Sequence, residues 1–221
     1  MNKIKYIVAV LIAIAGMGLQ QAKAFESDLN AGNPAIAGFA GPYGHVSIIL
    51  VNSTTATVTF TSLTAAGNGY LMGDGASVAV NVNATSWTLG TITGSNGGKG
   101  FSPGPYSNGG SGNVDGFGVL NQTINSFDGF THSSSTISFT LTNTSGIWGS
   151  AASVLVANAN GAMAAAHIFV TKLPVNSRNG ALATGFAANG GAQQVPDGGA
   201  TVMLLGAALG ALGMARRFLK S

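Results

Sequence analysis

Thr55-Ala56-Thr57-Val58-Thr59-Phe60-Thr61 sets small or apolar side chains against threonines at a strict period of two. That is the pattern of a half-buried β-strand with its β-branched residues on the wet face. Val46, Ile48 and Leu50 alternate just before it, and Asn52-Ser53-Thr54 supplies a turn, so the two runs read as a hairpin. Val78, Val80 and Val82 alternate with Ala79, Asn81 and Asn83, while Ile137, Phe139 and Leu141 alternate with serine and threonines. Ser153–Ala157 and His167–Thr171 are continuous apolar runs suited to central strands, with a turn over Asn158–Ala162. Between the two ends of the chain no useful 3.6-residue stripe occurs. The expectation is an all-β fold: a single β-sandwich of jelly-roll or immunoglobulin-like type, with the domain over residues 25–172.

Between Thr93 and Gly118 the alternation stops. Residues 94–116 read as a long glycine-rich loop carrying Phe101 and Tyr106. Such loops serve function or stay unstructured. The two aromatics suit either stacking on sugar rings, making a carbohydrate-binding module, or fastening the loop to its own sheet, which is the favoured expectation. Residues 173–194 turn Ala/Gly/Asn-rich and read as a last ragged strand followed by a flexible stalk.

The 221 residues carry a formal charge of +3, but six of the nine cations lie in the end segments: Lys3, Lys5, Lys23, Arg216, Arg217 and Lys220. From Phe25 to Val195 only Lys99, Lys172 and Arg178 face Glu26, Asp28, Asp74, Asp115 and Asp128. The domain is mildly acidic, with no basic patch to neutralise phosphates, so no nucleic-acid partner is expected. There is no cysteine, which excludes thiolate nucleophiles and Cys-ligated zinc.

Signs of catalysis are sparse. Gly100-Phe101-Ser102-Pro103-Gly104 fits G-x-S-x-G in letters only, because Pro103 lacks the N–H that the oxyanion hole needs from that position. His45, His132 and His167 show no metal spacing. Asp74, Asp115 and Asp128 each precede a glycine, foremost a turn signal. Turn carboxylates meeting at one end of a sandwich would suit Ca²⁺, so calcium assistance belongs to the carbohydrate-binding alternative. No cofactor and no enzymatic activity are expected.

The ends carry an address. Met1–Ala24 has Lys3 and Lys5, an apolar stretch from Ile7 to Leu19, and small residues Ala22 and Ala24 around Lys23, the layout of a signal peptide cleaved after Ala24. At the other end stand Val195, Pro196, Asp197, Gly198 and Gly199, an apolar run from Ala200 to Ala215, then Arg216 and Arg217. Those sixteen residues span about 24 Å as a helix at 1.5 Å per residue, near the hydrocarbon thickness. The arginines place the basic end inside and the domain outside.

This combination resembles the PEP-CTERM class of bacterial sorting tails, in the variant named for Val-Pro-Asp-Gly-Gly. Asp197 and Gly198 stand where the commoner pattern has Glu and Pro. The resemblance covers residues 195–221. It implies export across the inner membrane of a Gram-negative bacterium and recognition of the tail by an exosortase, a membrane transpeptidase-like enzyme. It also implies an inner-membrane intermediate, then the cell surface or an extracellular matrix, with exopolysaccharide or biofilm as the setting. A plain retained membrane anchor is the rival reading of the same tail.

Overall fold

The protein was analysed as a computed structural model describing residues 24–190. In chain order its strands are β1 (Ala24–Leu29), β2 (Ala31–Gly32), β3 (Gly44–Leu50), β4 (Thr55–Ser62), β5 (Thr64–Ala65), β6 (Asn68–Met72) and β7 (Asp74–Val80). There follow β8 (Trp87–Leu89), β9 (Thr93–Ser95), β10 (Ser107–Val114), β11 (Gly118–Ser126), β12 (Thr136–Asn143), β13 (Ala164–Lys172) and β14 (Ala183–Ala188). Three short 3-10 turns, Phe130–His132, Ala151–Ser153 and Ser177–Asn179, complete the described residues. No helix among them is long and apolar enough to cross a membrane. The span expected at 200–215 and the leader 1–24, apart from its last residue Ala24, lie outside the described residues.

The strands form two antiparallel sheets. The first runs β1-β3-β4-β12-β8, with β9 also paired to β12; the second runs β10-β11-β7-β13-β14-β2, with β6 joining β13 to β5. The opening of the first sheet as a β1-β3-β4 meander differs from the A-B-E-D order of an immunoglobulin sheet. The predicted hairpin is β3 and β4, in register from Gly44↔Ser62 to Leu50↔Ala56. Its turn is held by Asn52, whose Oδ1 accepts from the N–H groups of Thr54 and Thr55 at 2.9 and 2.8 Å. An Asx turn of this kind satisfies two donors that the strand ladder leaves over.

The main core lies between the sheets. Val46, Ile48, Val58, Phe60, Ile137, Phe139 and Leu141 of the first sheet pack on Met72, Val78, Val80, Ile168 and Val170 of the second, all buried. Phe60 and Phe139 lie nearly parallel with ring centroids 6.4 Å apart. A smaller cluster occupies the outer side of the second sheet: Ala79, Val114, Phe117, Leu120, Ala162, Ala165 and Ala188. The second sheet is therefore buried on both faces near its centre, which is why β13 reads as a continuous apolar run.

Three expectations need correction. Residues 94–116 are not one loop: β9 opens them and β10 pairs along β11, leaving only about ten residues free of strand. Their glycines are what the pairing needs, since a Cβ at Gly109 would sit 2.7 Å from Asn125 Nδ2 and one at Gly112 would sit 3.0 Å from Thr123 Cγ2. Residues 173–190 belong to the domain and not to a stalk. β14 pairs with β13 from Ala165↔Ala188 to Val170↔Ala183. Its small residues admit the segment 33–36, because a Cβ at Gly185 would meet Asn33 Oδ1 at 2.5 Å and Ile36 Cγ2 at 3.0 Å. Finally, Ser153–Ala157 is no central strand. It is the end of a 3-10 turn with a capping box at Ser150, followed by a single bridge between Leu155 and Val82.

Candidate functional site

The loop between β9 and β10 brings Phe101 and Tyr106 to opposite ends of one anchoring system. Its partner is the segment 130–134. Phe101 meets Phe130 edge to face at 5.3 Å, and Phe130 meets Phe169 of β13 in the same way at 5.8 Å. Ser102 N–H donates to Thr131 O at 3.0 Å, and His132 Nδ1–H donates to Gly104 O at 2.7 Å. Tyr106 hydrogen-bonds through its hydroxyl to Ser134 Oγ. Gly94 makes room for it, since a Cβ there would overlap the same hydroxyl. Burial raises the Tyr106 pKa, and the bond to Ser134 partly opposes that shift. Both aromatics are thus engaged in holding the loop to its own sheet.

Beyond Phe169 the aromatic row continues across the outer side of the second sheet. His167 stacks between Phe169 at 5.6 Å and Phe186 at 4.4 Å, the latter being its register partner on β14. Nδ1 of His167 lies 3.2 Å from Gly75 O, so it carries the proton; Nε2 then accepts from Thr184 Oγ1 at 2.7 Å. Burial holds the His167 pKa below its ordinary 6.5, against the opposing influence of Asp74 and the Gly75 carbonyl. The two hydrogen bonds suit a neutral ring. Sequence reading placed a ragged last strand in residues 173–194 but gave it no partner, and so missed this row; the signal available was Phe186 itself, the one aromatic in an Ala/Gly run.

The acids do not assemble into a pair facing a cleft. Asp115 sits in the β10–β11 turn and accepts from Asn33 Nδ2 at 3.0 Å. Asp74 opens β7 opposite Ser126, and Asp128 is exposed. On the first sheet, Asp28 of β1 takes a 2.7 Å hydrogen bond from Nδ1 of its register partner His45 on β3, with Glu26 at 3.9 Å from Nε2. Among the described residues no three His, Asp or Glu side chains gather so as to hold a metal ion. A groove of about 220 Å³ between β5, β6 and residues 96–98 is lined by Ser62, Thr64, Tyr70, Asn96 and Val175 among others, with no charged side chain.

Of the address residues, Ala24 is described: it is the exposed first residue of β1, opposite Ile49. Ala22, Val195, Pro196, Asp197, Gly198, Gly199, Arg216 and Arg217 lie outside the described residues. The described part defines a class: a charge-poor, all-β domain of two antiparallel sheets. Comparison with known families then supplies the address. Residues 194–218 match the family described as VPDSG-CTERM motif, so the chain carries a PEP-CTERM-like exosortase sorting tail. Gly198 stands where that family's name has serine. Such a tail marks the protein for exosortase processing and export to the cell surface. No curated protein and no solved structure matches the chain.

Proposed function

We propose that this is a non-enzymatic extracellular protein of a Gram-negative bacterium, delivered by its tail into the exopolysaccharide or biofilm matrix. The leader Met1–Ala24 directs export. Residues 200–215 span the inner membrane, and Arg216 and Arg217 keep the terminus in the cytoplasm. Exosortase then acts at Val195–Gly199, a stretch whose Pro196 and glycine pair are poor helix formers. The match over residues 194–218 carries this reading. Cleavage after Ala24 is compatible with the fold, because β1 loses only its first residue and keeps Phe25↔Ile48 onward.

Intact mass of the exported form is the test. Wild type is expected to lack Arg216–Ser221, while a Pro196→Ala, Asp197→Ala double variant stays full-length in the inner membrane. A released wild-type protein that keeps Arg216–Ser221 overturns the proposal. The carbohydrate-binding alternative for residues 94–116 draws no specific support from Phe101 and Tyr106, whose rings and hydroxyl are engaged within the domain.

A further inference from the structure

The outward face of the first sheet is a lattice of hydroxyl groups. β4 presents Thr55, Thr57, Thr59 and Thr61, and β12 sets Thr142, Thr140, Ser138 and Thr136 directly opposite them. The rows extend sideways: Ser47 of β3 lies opposite Thr59, Thr93 and Ser95 of β9 opposite Ser138 and Thr136, and Thr88 of β8 opposite Thr142. Twelve serine and threonine side chains therefore share one face at strand spacing. Charge enters this face at one side: Glu26 and Asp28 lie on the edge strand β1, and His45 of β3 stands opposite Thr61, at the end of the β4 row.

We infer that this face binds ice. Directly opposed strand residues repeat about every 4.8 Å across the sheet, and alternate residues about every 6.7 Å along it. Those two repeats lie close to the spacings of oxygen atoms on a prism face of ice. Threonine suits the task because it offers a hydroxyl to join a water lattice and a methyl group beside it that the lattice can enclose. Its β-branch also restricts χ1, so the array loses little rotamer freedom on binding. Thr59 Oγ1 and Ser138 Oγ bond each other at 2.9 Å. The hydroxyls of Thr57, Thr61, Thr136, Thr140 and Thr142 have no protein partner among the described residues. They remain available to the outside. Sheet twist of about 20–25° per strand limits the close match to the adjacent β4 and β12 rows. That double row is about 20 Å long over the six steps from Thr55 to Thr61. The inward neighbours Ala56, Val58, Phe60, Ile137, Phe139 and Leu141 are all buried, so the core holds the two rows in place.

The inference reaches beyond export and does not depend on how the tail is processed. It is tested on fluorescently labelled protein, purified in the form that cells export, by growing a single-crystal ice hemisphere and measuring thermal hysteresis. Wild type is expected to enter the ice on prism planes and to produce a freezing gap. Thr57→Val with Thr140→Val keeps the shape of the face and removes two hydroxyls. It should lower ice affinity about tenfold, at roughly 1 kcal/mol or less per lost bond. Thr57→Lys should abolish ice binding without changing the melting temperature by more than a few degrees. Val119→Lys, an exposed site on the second sheet, should leave ice binding unchanged. Exclusion of folded wild type from growing ice overturns the inference, and so does exclusion accompanied by retention on crystalline cellulose or chitin. Loss on Val119→Lys equal to that on Thr57→Lys overturns the assignment to this face.

Discussion

On the first sheet every second side chain of β4 and β12 faces outward, whereas on the second sheet β13 is buried along nearly its whole length on both faces. The first sheet turns an open threonine surface to the outside. The second is covered by Phe117, Leu120 and the aromatic row reaching from Phe186 to Phe101. Covering a sheet twice in a domain this small requires thin layers. Ala79, Ala165 and Ala188 supply them, and Gly185 admits the segment that carries Asn33 and Ile36. One residue composition, rich in Ala, Gly and Thr, thus makes an open face where threonines alternate and a closed one where alanines do.

The strongest way to break this contrast is to place the same charge on both faces. Ala165→Lys puts an ammonium into the buried outer cluster and is expected to abolish folding, or to cost more than about 4 kcal/mol in urea denaturation. The matching Thr57→Lys on the open face should stay within about 0.5 kcal/mol of wild type. Equal tolerance of the two lysines would show that the second sheet is not covered as described.

A smaller effect sharpens the description of the cover. Tyr106→Phe leaves the buried Ser134 Oγ without its partner and should cost about 1–3 kcal/mol. Amide hydrogen exchange over residues 96–106 should rise at the same time, because the hydroxyl is one of the ties that hold the loop. Unchanged exchange would remove the anchoring role.

The least effect expected is pH-dependent and belongs to the closed face alone. His167 has its folded pKa depressed below 6.5, so its contribution is present above that value and is lost as the pH falls through the lower folded value. Stability should therefore decline on acidification below 6.5. His167→Phe should flatten that part of the curve, and an unchanged pH profile in this variant would show that the ring does not govern it.

Much of the first sheet was legible because alternation is a local property. One strand facing water on one side writes its burial into every second residue, as Thr55–Thr61 does. The favoured reading of Phe101 and Tyr106 as anchors was also accessible, since aromatics in a loop next to a sheet have apolar area to cover. β10 was not legible, and β14 only as a ragged last strand without a partner. Their sequences, Ser-Asn-Gly-Gly-Ser-Gly-Asn-Val and Ala-Thr-Gly-Phe-Ala-Ala, have weak strand propensity, and what makes them strands is pairing with β11 and β13 together with the small size those contacts demand.

By itself the sequence determined that the described domain would be all-β, where the main hairpin would turn, and that residues 195–221 would carry a sorting address, which the family match over 194–218 supports. These are features written in neighbouring residues: period, turn chemistry and a contiguous motif. Only the tertiary structure decided which strands lie side by side, and so whether separate threonine runs become one lattice and whether His167 meets Phe186 and Thr184. Register is a relation between segments far apart in the chain, fixed by how the two buried faces fit together, and no local stretch of residues encodes it.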